Sequence, residues 1–202
     1  MKKGLLLILV LFFATIGFAR AVKALPKDKP NVLVFSLTKG FHHNSISDGI
    51  VALFKLGEQN NFNIDTTTNV LSFNNPNLKK YKLIIFLNPT GTNVFDDSQK
   101  QAFKTFINSG GGFVGIHAAT DFGYEWDWYG KLIGGYFESH PKIQEAKLKI
   151  IAPKNKMMEG LPNPWLHEDE WYNFKNFNTD VNVLIKVDET SYQGVILLME
   201  HP

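Results

Sequence analysis

Gly110-Gly111-Gly112-Phe113-Val114-Gly115-Ile116-His117-Ala118-Ala119-Thr120 is the stretch on which the fold turns. Glycines end a helix, a short apolar run of strand length follows, and a polar residue stands at its tip. Upstream, Asp96 or Asp97 caps a helix carrying Phe103, Phe106 and Ile107. Before that helix, Leu83-Ile84-Ile85-Phe86-Leu87-Asn88 is an apolar run that suits a strand covered on both faces. Asn31 to Leu37 reads the same way. Between these two strands, Ile46, Ile50, Leu53, Phe54 and Leu56 recur at helical spacing behind a cap at Asn44 or Ser45. Phe62 to Thr67 alternates and is β-branched, so it reads as another strand, and Asn74-Asn75-Pro76 marks a turn. Strand and helix alternate with short connections. The pattern predicts an α/β fold: a doubly wound, mostly parallel sheet flanked by helices in three layers, as in flavodoxin-like proteins.

Beyond His117 the pattern loosens. Trp126 to Leu132 reads as a short helix, and residues 147–151, 181–186 and 195–199 read as strands. The chain stops at Glu200-His201-Pro202 directly after the last apolar run, which leads us to expect one or two missing terminal strands. At the other end, Met1-Lys2-Lys3, an apolar stretch to Ala19 and small residues at 19, 21 and 24 have the layout of a signal peptide. We therefore expect a signal over 1–24, a linker over 25–30, one domain over 31–202, and a periplasmic or secreted product with no membrane span after cleavage. The signal holds Lys2, Lys3, Arg20 and Lys23 and no acid, so its removal turns the formal charge of +2 into −2. The remainder has no basic stripe for nucleic acid. Cysteine is absent, which excludes disulfide scaffolds, thiolate metal sites and thiol nucleophiles.

In an open α/β sheet, ligands bind at the carboxyl ends of the strands near the switch point. The polar residues there are His42 and His43 after the first strand, Asn88 and Thr90 after the third, and His117 and Asp121 after the fourth. His117 reads as a general base, a metal ligand or a ligand-binding donor, against the plainer reading of a loop-bonding structural histidine. His140 precedes Pro141 and is held extended. Asp169 and Glu170 are adjacent, so on an extended segment only one faces a given site. His43, His117 and His140 are the candidate ligands of a divalent metal such as Zn, though no compact ligand spacing is present. Trp126, Trp128, Tyr129, Trp171 and Tyr172 offer rings for stacking on a sugar, against the plainer role of filling a core.

Class I glutamine amidotransferases carry a cysteine nucleophile at the strand tip within a glycine-isoleucine-cysteine sequence; here the resemblance reads Gly115-Ile116-His117. Imidazole does not replace that thiolate, so the scaffold is amidotransferase-like and glutaminase activity is not expected. Phe41-His42-His43-Asn44-Ser45-Ile46, Gly110 to Ala119, Trp126 to Gly130, Phe137 with His140-Pro141, and Asp169-Glu170-Trp171-Tyr172 together resemble the ThuA-like family, named for trehalose utilisation. The family pattern has an Arg where His42 stands. The resemblance implies carbohydrate metabolism, through a glycoside or a keto-sugar made by a partner sugar dehydrogenase. The expected roles are His117, His43, Asp169 and Glu170 in catalysis, and His42, Asn88, Thr90, Asp121, Trp128, Tyr129 and Tyr172 in binding a small carbohydrate. Two competing readings are a non-catalytic carbohydrate-binding or interaction module on the same scaffold, and a truncated remnant with no role of its own.

Overall fold

The computed structural model describes residues 29–194. The expected signal, most of the linker and the expected strand at 195–199 lie outside the described residues.

Strands β1 (Asn31–Phe35), β2 (Asn63–Thr67), β3 (Leu83–Leu87) and β4 (Gly112–Ile116) form one parallel sheet in the order β2-β1-β3-β4. Alternation within the buried runs sorts side chains onto two faces. Val32, Val34, Ile85 and Leu87 point to one face and pack under Ile46, Ile50 and Leu53 of helix α1 (Ser45–Asn60). Leu33, Phe35, Ile84 and Phe86 point to the other, under helices α2 (Asn75–Leu78) and α3 (Asp97–Asn108). Helices thus cover both faces, and the sheet is doubly wound as expected. The chain moves outward from β1 to β2, then returns past β1 to β3. The carboxyl ends of β1 and β3 therefore flank the switch point, where the sequence placed the polar tips.

The second face is an aromatic core. Phe86 is fully buried and stacks on Phe103 at 5.3 Å, with Phe35, Phe73, Phe113 and Phe122 rings within 6 Å. Offset and edge-on ring pairs at such spacing add to the gain from burial. Helix α3 starts at a capping box: the Asp96 carboxylate accepts from Gln99 N, and Gln99 Oε1 accepts from Asp96 N. Asn44 takes the cap position of α1, but its side chain makes no capping bond. Asn74 caps α2, so the expected turn there is a short helix. Phe54 and Leu56, expected in the core, stand on the outer side of α1 and are nearly half exposed.

Among the described residues, no strand after β4 joins this sheet. Helix α4 (Asp127–Ile133) leads to β5 (Tyr136–Ser139), which pairs antiparallel with β8 (Asn173–Lys175). Strands β6 (Gln144–Ile150), β7 (Trp165–Asp169) and β9 (Ile185–Val187) form an antiparallel sheet in the order β7-β6-β9. Among the described residues, no helix is long and apolar enough to cross a membrane.

Replacing Phe86 by Ala should cost about 3–5 kcal/mol, because the rings around it cannot close the void. Phe54→Ala on the outer side of α1 should stay within about 0.5 kcal/mol of wild type. Urea denaturation of the two variants measures the contrast.

Candidate functional site

His117 sits at the crest of a sharp elbow. Strand β4 ends at Ile116, the chain turns at His117 with φ +45°, and a 3-10 turn runs to Thr120. A side chain in the left-handed region costs on the order of 1–3 kcal/mol, and such strain concentrates at working sites. The fold-back is tight. A Cβ on Gly115 would stand 2.3 Å from Ile133 Cδ1 and 3.1 Å from the Ala119 Cβ, so any larger residue would have to displace the tip of Ile133 and press on the following turn. The result lifts the imidazole clear of the sheet at its carboxyl edge.

His43 reaches the same point from the loop after β1. Thr90, wholly buried after β3, holds that loop in place. Its Oγ1 accepts from Gly40 N at 3.1 Å and donates to Phe41 O at 2.9 Å, while its carbonyl accepts from Lys39 N. Glu170 and Tyr172 arrive from the segment after β7. His117 Nε2 is then 3.1 Å from His43 Nε2, 3.2 Å from Glu170 Oε2 and 2.9 Å from the Tyr172 hydroxyl. Segments far apart in the chain thus converge on one ring nitrogen.

Two openings flank this cluster. A groove of about 640 Å³ runs along the start of α1, lined by Ser45, Asp48, Asn88, Ile143 and Asp169 besides His43, His117 and Glu170. A second space of about 380 Å³ lies between Phe41, Asp121, Phe137, His140 and Tyr172, and shares His43 and Glu170 with the first. Phe41 is 68% exposed at its mouth, with its ring edge-on to His43 at 4.8 Å.

Burial holds the His43 imidazole below the ordinary value of 6.5; the adjacent His117 lowers it further, while Glu170 and Asp121 pull it back up. His43 Nδ1 is buried with no hydrogen-bond partner. Burial also pushes the Tyr172 hydroxyl far up, and the charges of Glu170 and Asp121 add to this. Tyr172 therefore stays a neutral O–H donor throughout the workable pH range. Tyr124 is raised in the same way, by burial and then by Asp121, whose Oδ1 lies 2.6 Å from its hydroxyl.

His43, His117, Glu170, Tyr172 and Asp121 are brought to one place. Asn88 lines the groove with its Nδ2 donating to Ser45 Oγ, and its Oδ1 is buried without a partner. Other expectations are corrected. Thr90 is a clamp for the loop and is not open to a ligand. His42 is exposed, bonds Thr38 Oγ1 and lines neither opening. Tyr129 is fully buried with its hydroxyl donating to Ala119 O, so it cannot stack on a ligand. Trp128 stacks on Trp126 at 5.3 Å against the aromatic core, and Trp171 donates to Gln144 O, so neither ring faces the site. Asp169 lines the groove beside His167 at 3.6 Å, while its neighbour Glu170 alone turns to the imidazoles. His140 borders the second space, with its Nδ1 2.8 Å from Pro141 O and its ring flat against Tyr172. It stands outside the group of donors that, among the described residues, could hold a metal: His43, His117 and Glu170. Phe41, Phe137 and Tyr124 carry no role in the sequence reading; Phe41 and Phe137 do stand in the segments that carry the family resemblance, and Tyr124 lies three residues past Asp121.

Residues 31–202 match the family described as ThuA, trehalose utilisation. A ThuA-like protein from Bacteroides uniformis is 25% identical, with a TM-score of 0.69 over 84% of this chain and 73% of its own. A ThuA-like protein from Parabacteroides merdae is 19% identical, with a TM-score of 0.55 over 73% of this chain and 63% of its own. No curated protein sequence matches the chain.

The His43 shift has a signed consequence. Below 6.5 the unfolded chain takes up a proton that the folded chain refuses. The stability His43 contributes is present above that value and is lost as pH falls through the lower, folded value. In chelating buffer, the urea midpoint should drop between about pH 7 and about pH 5. Part of that drop should disappear in His43→Gln.

Proposed function

The chain belongs to the ThuA trehalose-utilisation family, and on that premise we propose that it is an enzyme of carbohydrate metabolism acting on a keto-sugar or its glycoside. The observation that carries this reading is the convergence of His43, His117, Glu170 and Tyr172 at a strained elbow between two openings. Direct glycoside hydrolysis is supported less well, because it calls for two free facing carboxylates, and Asp121, which shares the second opening with Glu170, is taken up by the Tyr124 hydroxyl at 2.6 Å.

A carbonyl on the sugar ring acidifies the neighbouring C–H. A neutral imidazole of the His43–His117 pair takes that proton, and the Tyr172 O–H donates toward the carbonyl oxygen as charge develops there. Glu170 stabilises the imidazolium so formed. Where the carbon beyond bears a glycosidic oxygen, its C–O bond breaks as the C=C bond forms. The departing oxygen then takes the proton back from the imidazolium, giving an unsaturated keto-sugar and an alcohol. No oxidant is consumed. The keto group has to be installed beforehand, which is the work of a sugar dehydrogenase. Asp121 and the exposed ring of Phe41 supply a hydroxyl acceptor and a stacking face at the second opening.

The signal-like residues 1–24 support a periplasmic or secreted setting for this chemistry. His117 in place of the amidotransferase cysteine, in a chain without any cysteine, supports the absence of glutamine hydrolysis.

A 3-keto-glucoside incubated with the full chain should release its aglycone, whereas trehalose itself should not react. His117→Ala and Tyr172→Phe should lower kcat by about 10²–10⁴-fold, the usual worth of a placed acid or base. Phe41→Ala should raise KM with little change in kcat. Unchanged turnover in His117→Ala would overturn the mechanism, and saturable binding with no product from the wild type would favour the binding-module reading.

A further inference from the structure

We propose that His43 Nε2, His117 Nε2 and Glu170 Oε2 form a binding site for one divalent transition-metal cation of the zinc class. This deepens the reading of the same pocket as the working site, but it stands on separate observations.

Among the described residues, these are the donors whose ligand atoms all lie within 4.8 Å of one another. Their separations are 3.1, 3.2 and 3.9 Å. With bonds of about 2.0–2.2 Å, a tetrahedral centre spaces its ligands by roughly 3.4 Å, so these three distances bracket the requirement. Two imidazoles and a carboxylate suit zinc, manganese, iron or cobalt, and no thiolate is available in this chain to favour a softer ion.

Hydrogen counting points the same way. His117 Nε2 holds either one hydrogen or one lone pair. If it carries the hydrogen, that one donor cannot serve His43, Glu170 and Tyr172 together. If it does not, it meets the Glu170 oxygen at 3.2 Å as acceptor against acceptor. A cation between the three atoms satisfies all of them at once. It leaves the Tyr172 hydroxyl free to donate to whatever fills the open position.

The three donors all line the groove along α1, so a fourth ligand can reach the cation from that opening, which is the layout of a site that exchanges ligands rather than one that merely holds a fold together. When bound, the cation would polarise a substrate oxygen or lower the pKa of a water at the open position; because it would occupy both Nε2 lone pairs, that water would take the proton that a free imidazole takes in the metal-free chain. Ligating histidines normally donate their second nitrogen to a partner, and that partner is worth about 10–100-fold in affinity. His43 Nδ1 has none. The cation is therefore expected to be exchangeable and removable by chelators. His140, the third histidine nominated from sequence, is replaced as a ligand by Glu170.

The test reads metal binding and not turnover, so its failure leaves the carbohydrate reading standing, and the converse holds. The full chain is stripped with a chelator and titrated with Zn²⁺ by calorimetry. One equivalent should bind per chain. His43→Gln, His117→Gln and Glu170→Gln should each weaken binding by about 100-fold or more, beyond the loss of an outer partner. His167→Gln and His140→Gln should bind as wild type does. No uptake by the wild type, or affinity that survives all three substitutions, overturns the site. So does affinity that is lost with His167. Should a variant fail to fold, imidazole ¹⁵N resonances of the wild type decide the matter. Shifts of two histidines assigned to 43 and 117 support the site, and any other pattern rejects it.

Discussion

The backbone at residue 117 bears the constraint on which the site depends. A bulky L-residue is held with φ +45° at the end of a buried strand, in a region that few side chains tolerate. Two things hold it there. One is the missing Cβ of Gly115, which lets Ile133 and the Ala119 of the following turn close over the strand end. The other is the 3-10 turn, whose Asp121 N donates to Ala118 O. The aromatic core beneath secures that turn in its place through Tyr129, whose buried hydroxyl donates to Ala119 O. Core and site are thus mechanically joined: the rings that stabilise the sheet also hold the crest from which His117 projects.

Around that crest the fold assembles groups of different origin. The parallel sheet supplies His43 and His117 from two strand ends, and Thr90 ties the loop that carries His43 down by four hydrogen bonds. The antiparallel part supplies Glu170 and Tyr172. These two sit two residues apart just past β7, so an extended backbone sends both toward the cluster and sends Trp171 away to Gln144. Alternation along one short segment separates an ionic contact, a hydroxyl donor and a structural indole.

The parallel half of the molecule was legible in the chain because its signals are local. Runs such as Leu83 to Leu87 are apolar enough to require cover on both faces, and Asp96 with Gln99 announces a helix start. The elbow was legible for the same reason: glycines, a short strand and a polar tip in order. The antiparallel half was legible only in part: the runs at 147–151 and 181–186 read as strands and overlap β6 and β9. β5, β7 and β8 are short, partly polar and paired with distant segments, so no periodicity marks them. The aromatic residues misled for a related reason. Trp128, Tyr129 and Tyr172 are alike in composition, and only the packing decides that the first two fill a core while the third lines a pocket. The choice of Glu170 over Asp169 follows from which face of a strand end meets the imidazoles, which adjacency alone leaves open.

The two openings on either side of His43 and Glu170 differ in character. One is bounded by the first turn of α1, the other by the rings of Phe41, Phe137 and Tyr172. A sugar ring held against the cluster would show one side to the first turn of α1 and the other to aromatic faces. Proton removal from only one of those sides selects a single configuration at the carbon that loses it. Discrimination between substrate epimers would then be written into the wall between two cavities, without any contact dedicated to chirality.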